Sequence, residues 1–138
     1  MKSVFVDKKT INKALKTIPK KGKNSIEPFK TWTVKRSLPF SILENNEVLN
    51  KAERHKNEGD LWFCLEGEAT FICGGEMVNE RILNDMENSE SQADYIKRGK
   101  SITLKKGDWL WIPPGEPHQH SNKNLSRLLI IKIPQKSS

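Results

Sequence analysis

The apolar positions of this chain follow two different periods. Ile11, Ala14, Leu15 and Ile18 fall at helical spacing and Pro19 follows as a stop, so the pattern predicts a short helix over residues 7 to 18. Residues 19 to 28 are rich in Lys, Gly, Asn, Ser and Pro and read as a loop. From there the period changes to two. Trp32 and Val34 alternate with Thr31, Thr33 and Lys35, which predicts a strand, and residues 40 to 43 and 47 to 55 make two more. Residues 60 to 65 and the stretch Arg127-Leu-Leu-Ile-Ile-Lys-Ile133 are apolar on both faces. Strands of that kind are buried on both sides.

Turn signals divide the remainder. Glu66-Gly67 predicts a reversal after 60–65, with 69 to 73 returning, and Gly74-Gly75 a second break before Glu76. Residues 84 to 94 are polar and acidic and are expected to form an exposed insertion. Strands resume near 101–104, 108–112, 117–122 and 127–133. About ten short strands with Gly/Pro turns and little helix predict an all-β sandwich or barrel, and a jelly roll is one closed solution that hides strand edges. The 138 residues fit one domain. We expect a basic arm over 1–28 and a single β domain over 29–134.

Charge sharpens that division. Residues 1 to 36 hold 11 Lys/Arg against 2 Asp/Glu, and the other 102 residues hold 13 against 15, so the net charge of +7 belongs to the N-terminal segment. No aromatic residue interleaves among Lys16, Lys20, Lys21 and Lys23, and no nucleic-acid motif accompanies them, so a solvated arm is expected in place of a nucleic-acid partner. The chain has no apolar run of 18 residues and no signal-peptide pattern at Met1, which predicts a cytoplasmic protein without a membrane partner. The reversal expected at Glu66-Gly67 displaces Cys73 from Cys64 by about 13 Å along the strands. Both cysteines are therefore expected as free thiols.

The candidate chemistry lies in Gly107-Asp-Trp-Leu-Trp-Ile-Pro113-Pro-Gly115-Glu-Pro-His118-Gln-His120-Ser-Asn122, which carries two of the three histidines. The third is His55, followed by Asp60. Strand alternation puts Glu53 with His55 on one face, Asp60 with Trp62 and Cys64 on another, and His118 with His120 and Asn122 on a third. If His55, Asp60 and His118 face inward, they form a two-histidine, one-carboxylate set with coordination positions left open. Such a set takes one divalent ion, Fe2+ first, with Mn2+, Ni2+ or Zn2+ as alternatives. Glu58, Glu53 and His120 are the substitute ligands. His120 or Glu53 is the candidate catalytic base.

Gly107-x5-Pro113-x-Gly115-x2-His118-x3-Asn122 resembles the second motif of the cupin superfamily. Glu53-x-His55-x4-Asp60-x6-Gly67 is similar to the first, with Glu53 where members carry a histidine and Asp60 where they carry glutamate. The resemblance covers residues 53 to 122 and implies a small jelly-roll β-barrel, often dimeric, with a metal in its bowl. It covers dioxygenases, isomerases, decarboxylases, lyases and non-catalytic binders alike. For a small-molecule substrate the expected pocket residues are Trp62, Cys64, Asn122, Arg36 and Arg127. Leu61, Phe63 and Leu65 are apolar on the opposite face of their strand, so either the arm or a second subunit is expected to cover them, and a homodimer is expected.

Overall fold

The computed structural model describes residues 2–35, 38–84 and 90–136. In chain order it contains α1 (Lys8–Ala14), β1 (Gly22–Ser25), α2 (Phe29–Lys35), β2 (Phe40–Leu49), β3 (Ala52–His55), β4 (Glu58–Cys73), β5 (Glu76–Val78), β6 (Arg81–Asn84), β7 (Glu90–Ala93), β8 (Tyr95–Lys97), β9 (Lys100–Lys105), β10 (Trp109–Ile112) and β11 (His118–Pro134). All strand pairs are antiparallel. One sheet runs β1-β2-β11-β3-β7-β6, and β4 joins it through β11 while also pairing β9 and β10. Among the described residues no helix is long and apolar enough to cross a membrane.

Two long strands, β4 and β11, organise the molecule. Residues 58–67 of β4 pair with 126–134 of β11, and residues 70–73 pair with 118–121. The first half of β4 takes β10 as its other neighbour, and the second half takes β9. The expected reversal at Glu66-Gly67 is therefore a bend within one continuous strand. Gly67 has φ +70°, and a Cβ there would come within 2.1 Å of the Leu125 carbonyl oxygen. Only glycine allows both the left-handed backbone and that close approach. The two strands expected at 117–122 and 127–133 are likewise one strand, with an irregularity between Asn122 and Leu125.

Both halves of β4 feed one interior core. Trp62, Cys64, Ala69 and Phe71 pack with Leu43 of β2, Leu104 of β9, Ile112 of β10, and Leu128 and Ile130 of β11. This is a sheet curled around its own apolar face, an all-β jelly-roll architecture. A second core lies outside the curl. Ala14, Ile26, Phe29 and Ile42 pack there with Ile11, Trp32, Phe40, Leu65 and Leu129, so the two helices cover part of the outer face.

Several local expectations differ from the structure. The helix expected over 7–18 forms from Lys8 to Ala14, with the Asp7 carboxylate accepting from Thr10 N at 2.8 Å as its N-cap. Within the expected loop, Gly22–Ser25 pairs with β2. Residues 29–35 are α2, not a strand. Glu27 accepts from Thr31 N near the start of the helix, and Phe29 and Trp32, three residues apart, both face the outer core. The β-branched Thr31, Thr33 and Val34 favour a strand by propensity, and the packing of Phe29 and Trp32 overrides it. The expected insertion at 84–94 is only partly exposed. Glu90–Ala93 is β7, paired with β3 and β6, and Ser91 and Ala93 are buried. Residues 85–89 lie outside the described residues.

Candidate metal centre

The two motif stretches meet through backbone hydrogen bonds. Gly115 N donates to the His55 carbonyl at 2.6 Å, and Gly74 N donates to the Pro117 carbonyl at 2.8 Å. The loop before β11 is thereby fixed against β3 and β4, and His118 falls directly opposite Glu53 in the β3–β11 register. Glu53 and His55 point the same way, being two apart on β3. Asp60 enters from the start of β4, opposite Ile112 of β10 and Lys132 of β11.

The result is a cluster of Glu53, His55, Asp60 and His118 whose ligating atoms all lie within 4.8 Å of one another. His118 Nε2 is 3.3 Å from Glu53 Oε1 and 3.4 Å from Asp60 Oδ2, and His55 Nε2 is 3.7 and 3.8 Å from the same two oxygens. The Nδ1 of His118 lies 3.0 Å from the Glu116 carbonyl oxygen. A proton on Nδ1 would leave the Nε2 lone pair free to face the cluster. His55 Nε2, His118 Nε2 and Asp60 Oδ2 are all buried, and none has a hydrogen-bond partner. Buried polar atoms without partners are rare in native proteins, and an ion is one explanation. Donors each about 2.1 Å from an ion sit roughly 3–4 Å apart, which matches the four spacings. The residues therefore fit a divalent ion with imidazole and carboxylate donors.

Without an ion the electrostatics are strongly coupled. Burial alone would push the Glu53 carboxyl up, but His118 and His55 outweigh it and hold it far below the usual carboxylate range. Burial is likewise outweighed at Asp60 by His118 and Lys132, and its pKa is lowered. His118 shows the converse. Burial would lower it, yet Asp60 and Glu53 raise it to about 9. A metal would displace that proton, because only neutral imidazole ligates.

The other expected residues are placed as follows. His120 is buried outside the four-member cluster, with its ring 5.3 Å from Trp62 and 5.2 Å from Phe71. Burial, reinforced by Lys23, lowers it to about 4. Trp62 packs in the interior core against Phe71. Glu58 turns to Lys132, 3.6 Å away, and is not in the cluster. Cys64 is also core. Its thiol donates to the carbonyls of Glu66 and Gly67, and burial raises its pKa. Asn122 is buried and its Nδ2 donates to the Glu68 carbonyl at 2.7 Å. Cys64 and Cys73 are free thiols. Arg36 lies outside the described residues.

Arg127 is held in an ion-pair network on the outer side of β11. It is 2% exposed and faces away from the interior core. Its guanidinium pairs with Glu44 at 2.8 Å and Glu66 at 3.1 Å, and donates to the carbonyls of Leu15 and Thr17. The residue next to inward-facing Ser126 and Leu128 must point outward, and there it caps the end of α1. A cavity of about 440 Å³ also lies outside, lined by Thr10, Lys13, Ala14, Thr17, Glu27, Pro28 and Trp32, and shares no residue with the cluster.

Sequence reading missed Lys132. Its ammonium donates to Asp60 Oδ1 at 2.7 Å from the directly opposite position on β11. The signal was present: Lys132 continues the inward series Leu128, Ile130, and a lone lysine on a buried face calls for a buried acid.

No family model matches the chain, and no curated protein matches it. Solved structures do. The Drosophila melanogaster CENP-C cupin domain is similar at 12% identity and TM-score 0.48, over 73% of this chain and 61% of that one. FeII HppE is similar at 16% identity and TM-score 0.49, over 80% of this chain and 50% of the other. An uncharacterized conserved protein with a double-stranded β-helix domain from Klebsiella pneumoniae is similar at 16% identity and TM-score 0.48, over 72% and 69%. The chain thus spans 61% and 50% of the lengths of the first two of these. Of these three solved structures, one is described as a cupin domain and one as containing a double-stranded β-helix domain, which agrees with the all-β fold.

Proposed function

We propose that this chain is a metal-binding cupin with one divalent ion per chain, acting as an enzyme on a small polar molecule. The observation that carries the reading is the convergence of three buried, unpartnered ligand atoms, His55 Nε2, His118 Nε2 and Asp60 Oδ2, with Glu53 as a fourth donor. A bound Fe2+, or Mn2+, Ni2+ or Zn2+, would supply Lewis-acid chemistry or, for iron, oxygen chemistry. The chain's own residues supply the rest. His55, Asp60 and His118 are buried and fix the geometry, whereas Glu53 is partly exposed and marks the side from which a ligand reaches the site. Glu53, held so strongly as a carboxylate, serves better as a ligand than as a base. His120, the other candidate base, is kept neutral by burial, which weakens it as a proton acceptor.

The test is elemental analysis of protein purified without chelator or affinity metal, beside His118→Ala and His55→Ala. We expect near-stoichiometric metal in the parent and its loss from both variants with the fold kept. Equal retention in the variants would remove the ligand assignment. Oxygen uptake dependent on ferrous iron then selects a dioxygenase-like reaction, and turnover under nitrogen with other divalent ions selects an isomerase or decarboxylase.

One observation favours a second reading, a non-catalytic small-molecule-binding cupin. A protonated His118 lies within 3.4 Å of both carboxylates, so it offsets part of their charge without a metal. No metal in parent or variants, and no uptake of added ions, selects this reading.

We also propose a homodimer. The helices cover Leu65 and Leu129, but Leu61, Phe63, Ile131 and Ile133 beside them are only half-buried, and Trp109 and Trp111 are 56% and 41% exposed. Register places these residues side by side across β10, β4 and β11. An apolar face of this kind on three adjacent strands is a docking surface.

A further inference from the structure

Asp60 has two oxygens in two different environments. Oδ1 accepts from the Lys132 ammonium at 2.7 Å. Oδ2 has no hydrogen-bond partner and faces His118 Nε2 at 3.4 Å and His55 Nε2 at 3.8 Å. Register sets this division, because Lys132 stands directly opposite Asp60. Asp60 is 1% exposed, so the carboxylate has no solvent into which to turn.

We propose that Lys132 is a positioning residue of the metal centre: it restricts Asp60 to ligation through one oxygen and so keeps a coordination position free for a small molecule. The inference rests on the metal-binding reading above. Two-oxygen ligation would require Oδ1 to leave the ammonium and swing toward the imidazoles, giving up a charge-assisted hydrogen bond of 2.7 Å. Charge points the same way. Glu53, Glu58 and Asp60 contribute three negative charges and Lys132 one positive, a sum of minus two that a divalent ion neutralises when both histidines are neutral. A lysine serving only to neutralise a buried acid would change stability and leave coordination untouched.

Cobalt(II) separates these roles, because its visible bands shift to higher energy and weaken as coordination number rises. The experiment loads chelator-stripped parent, Lys132→Met and Lys132→Arg with cobalt(II) and records absorption spectra. We expect the Lys132→Met bands to shift to higher energy and lose intensity as Asp60 becomes a two-oxygen ligand. Lys132→Arg, which can donate to the same oxygen, should keep the parent spectrum. Identical spectra for parent and Lys132→Met, with cobalt bound in both, would overturn the inference. Absence of cobalt binding in the folded parent would overturn the metal reading beneath it. If circular dichroism shows that Lys132→Met does not fold, infrared difference spectra of zinc-loaded parent with carbon-13-labelled aspartate decide. A one-oxygen carboxylate signature supports the role, and a two-oxygen signature ends it.

Discussion

At the scale of single residues, environment decides which expectations hold. Glu53, His55, Asp60 and His118 converge because alternation along a strand is a strict geometric rule, and the motif spacings carry it. Arg127 is one residue from the inward face of β11, and parity puts it in an ion pair with Glu44 and Glu66. Arg127 lies against buried Glu44, so Arg127→Ala strands a carboxylate and frees two carbonyls of the α1 terminus. We expect a loss of about 3–5 kcal/mol, read as a lower urea midpoint, with metal content unchanged. pH acts on the cluster itself. In metal-free protein His118 rises from 6.5 to about 9, so its stabilisation is complete below 6.5 and disappears as pH climbs through 9. Glu53 and Asp60 are depressed, and their stabilisation is present above the ordinary carboxylate range and lost as pH falls through their lowered values. Thermal scans of stripped protein should therefore show falling stability between pH 6.5 and 9, and metal-loaded protein should not follow that decline. A flat profile for stripped protein would contradict the His118 pairing.

At the scale of elements, strand content was legible and continuity was not. Glycine at 67 reads as a chain reversal and the segment between 122 and 127 as a break between strands, yet each long strand continues, bent at Gly67 and irregular between Asn122 and Leu125. A local turn signal cannot distinguish a bend in a strand shared by two partners from a hairpin. The same glycine yields a test. Gly67→Ala places a Cβ against the Leu125 carbonyl and forces alanine into φ +70°. We expect a cost above about 2 kcal/mol by denaturant unfolding. A near-neutral change would mean the bend relaxes freely. Helix α2 was missed for another reason: its apolar residues serve an outer core made with β2, β4 and β11, and no window of seven residues contains that partner surface.

At the scale of the molecule, the sequence indicated that the sheet's outer face needs cover, and the structure divides it. Helices α1 and α2 shield one part, and the tryptophan-bearing part beside β10 is left open. A second copy meeting that face by a twofold axis would bury both patches at once. Light scattering at micromolar concentration should give a dimer, and Trp109→Lys with Trp111→Lys should give a folded monomer. A monomeric parent would reject the homodimer.

Strand β11 has one more consequence. His118 sits on it, Glu53 is held opposite it, and Lys132 reaches Asp60 from its far end. Until this strand closes onto β4, the chain offers an ion only isolated side chains. Capture of the ion must then come late in folding, after the slow closure of contacts distant in sequence. A bound ion would in turn hold β11 against β3 and β4, so hydrogen exchange along β11 should slow when metal is added.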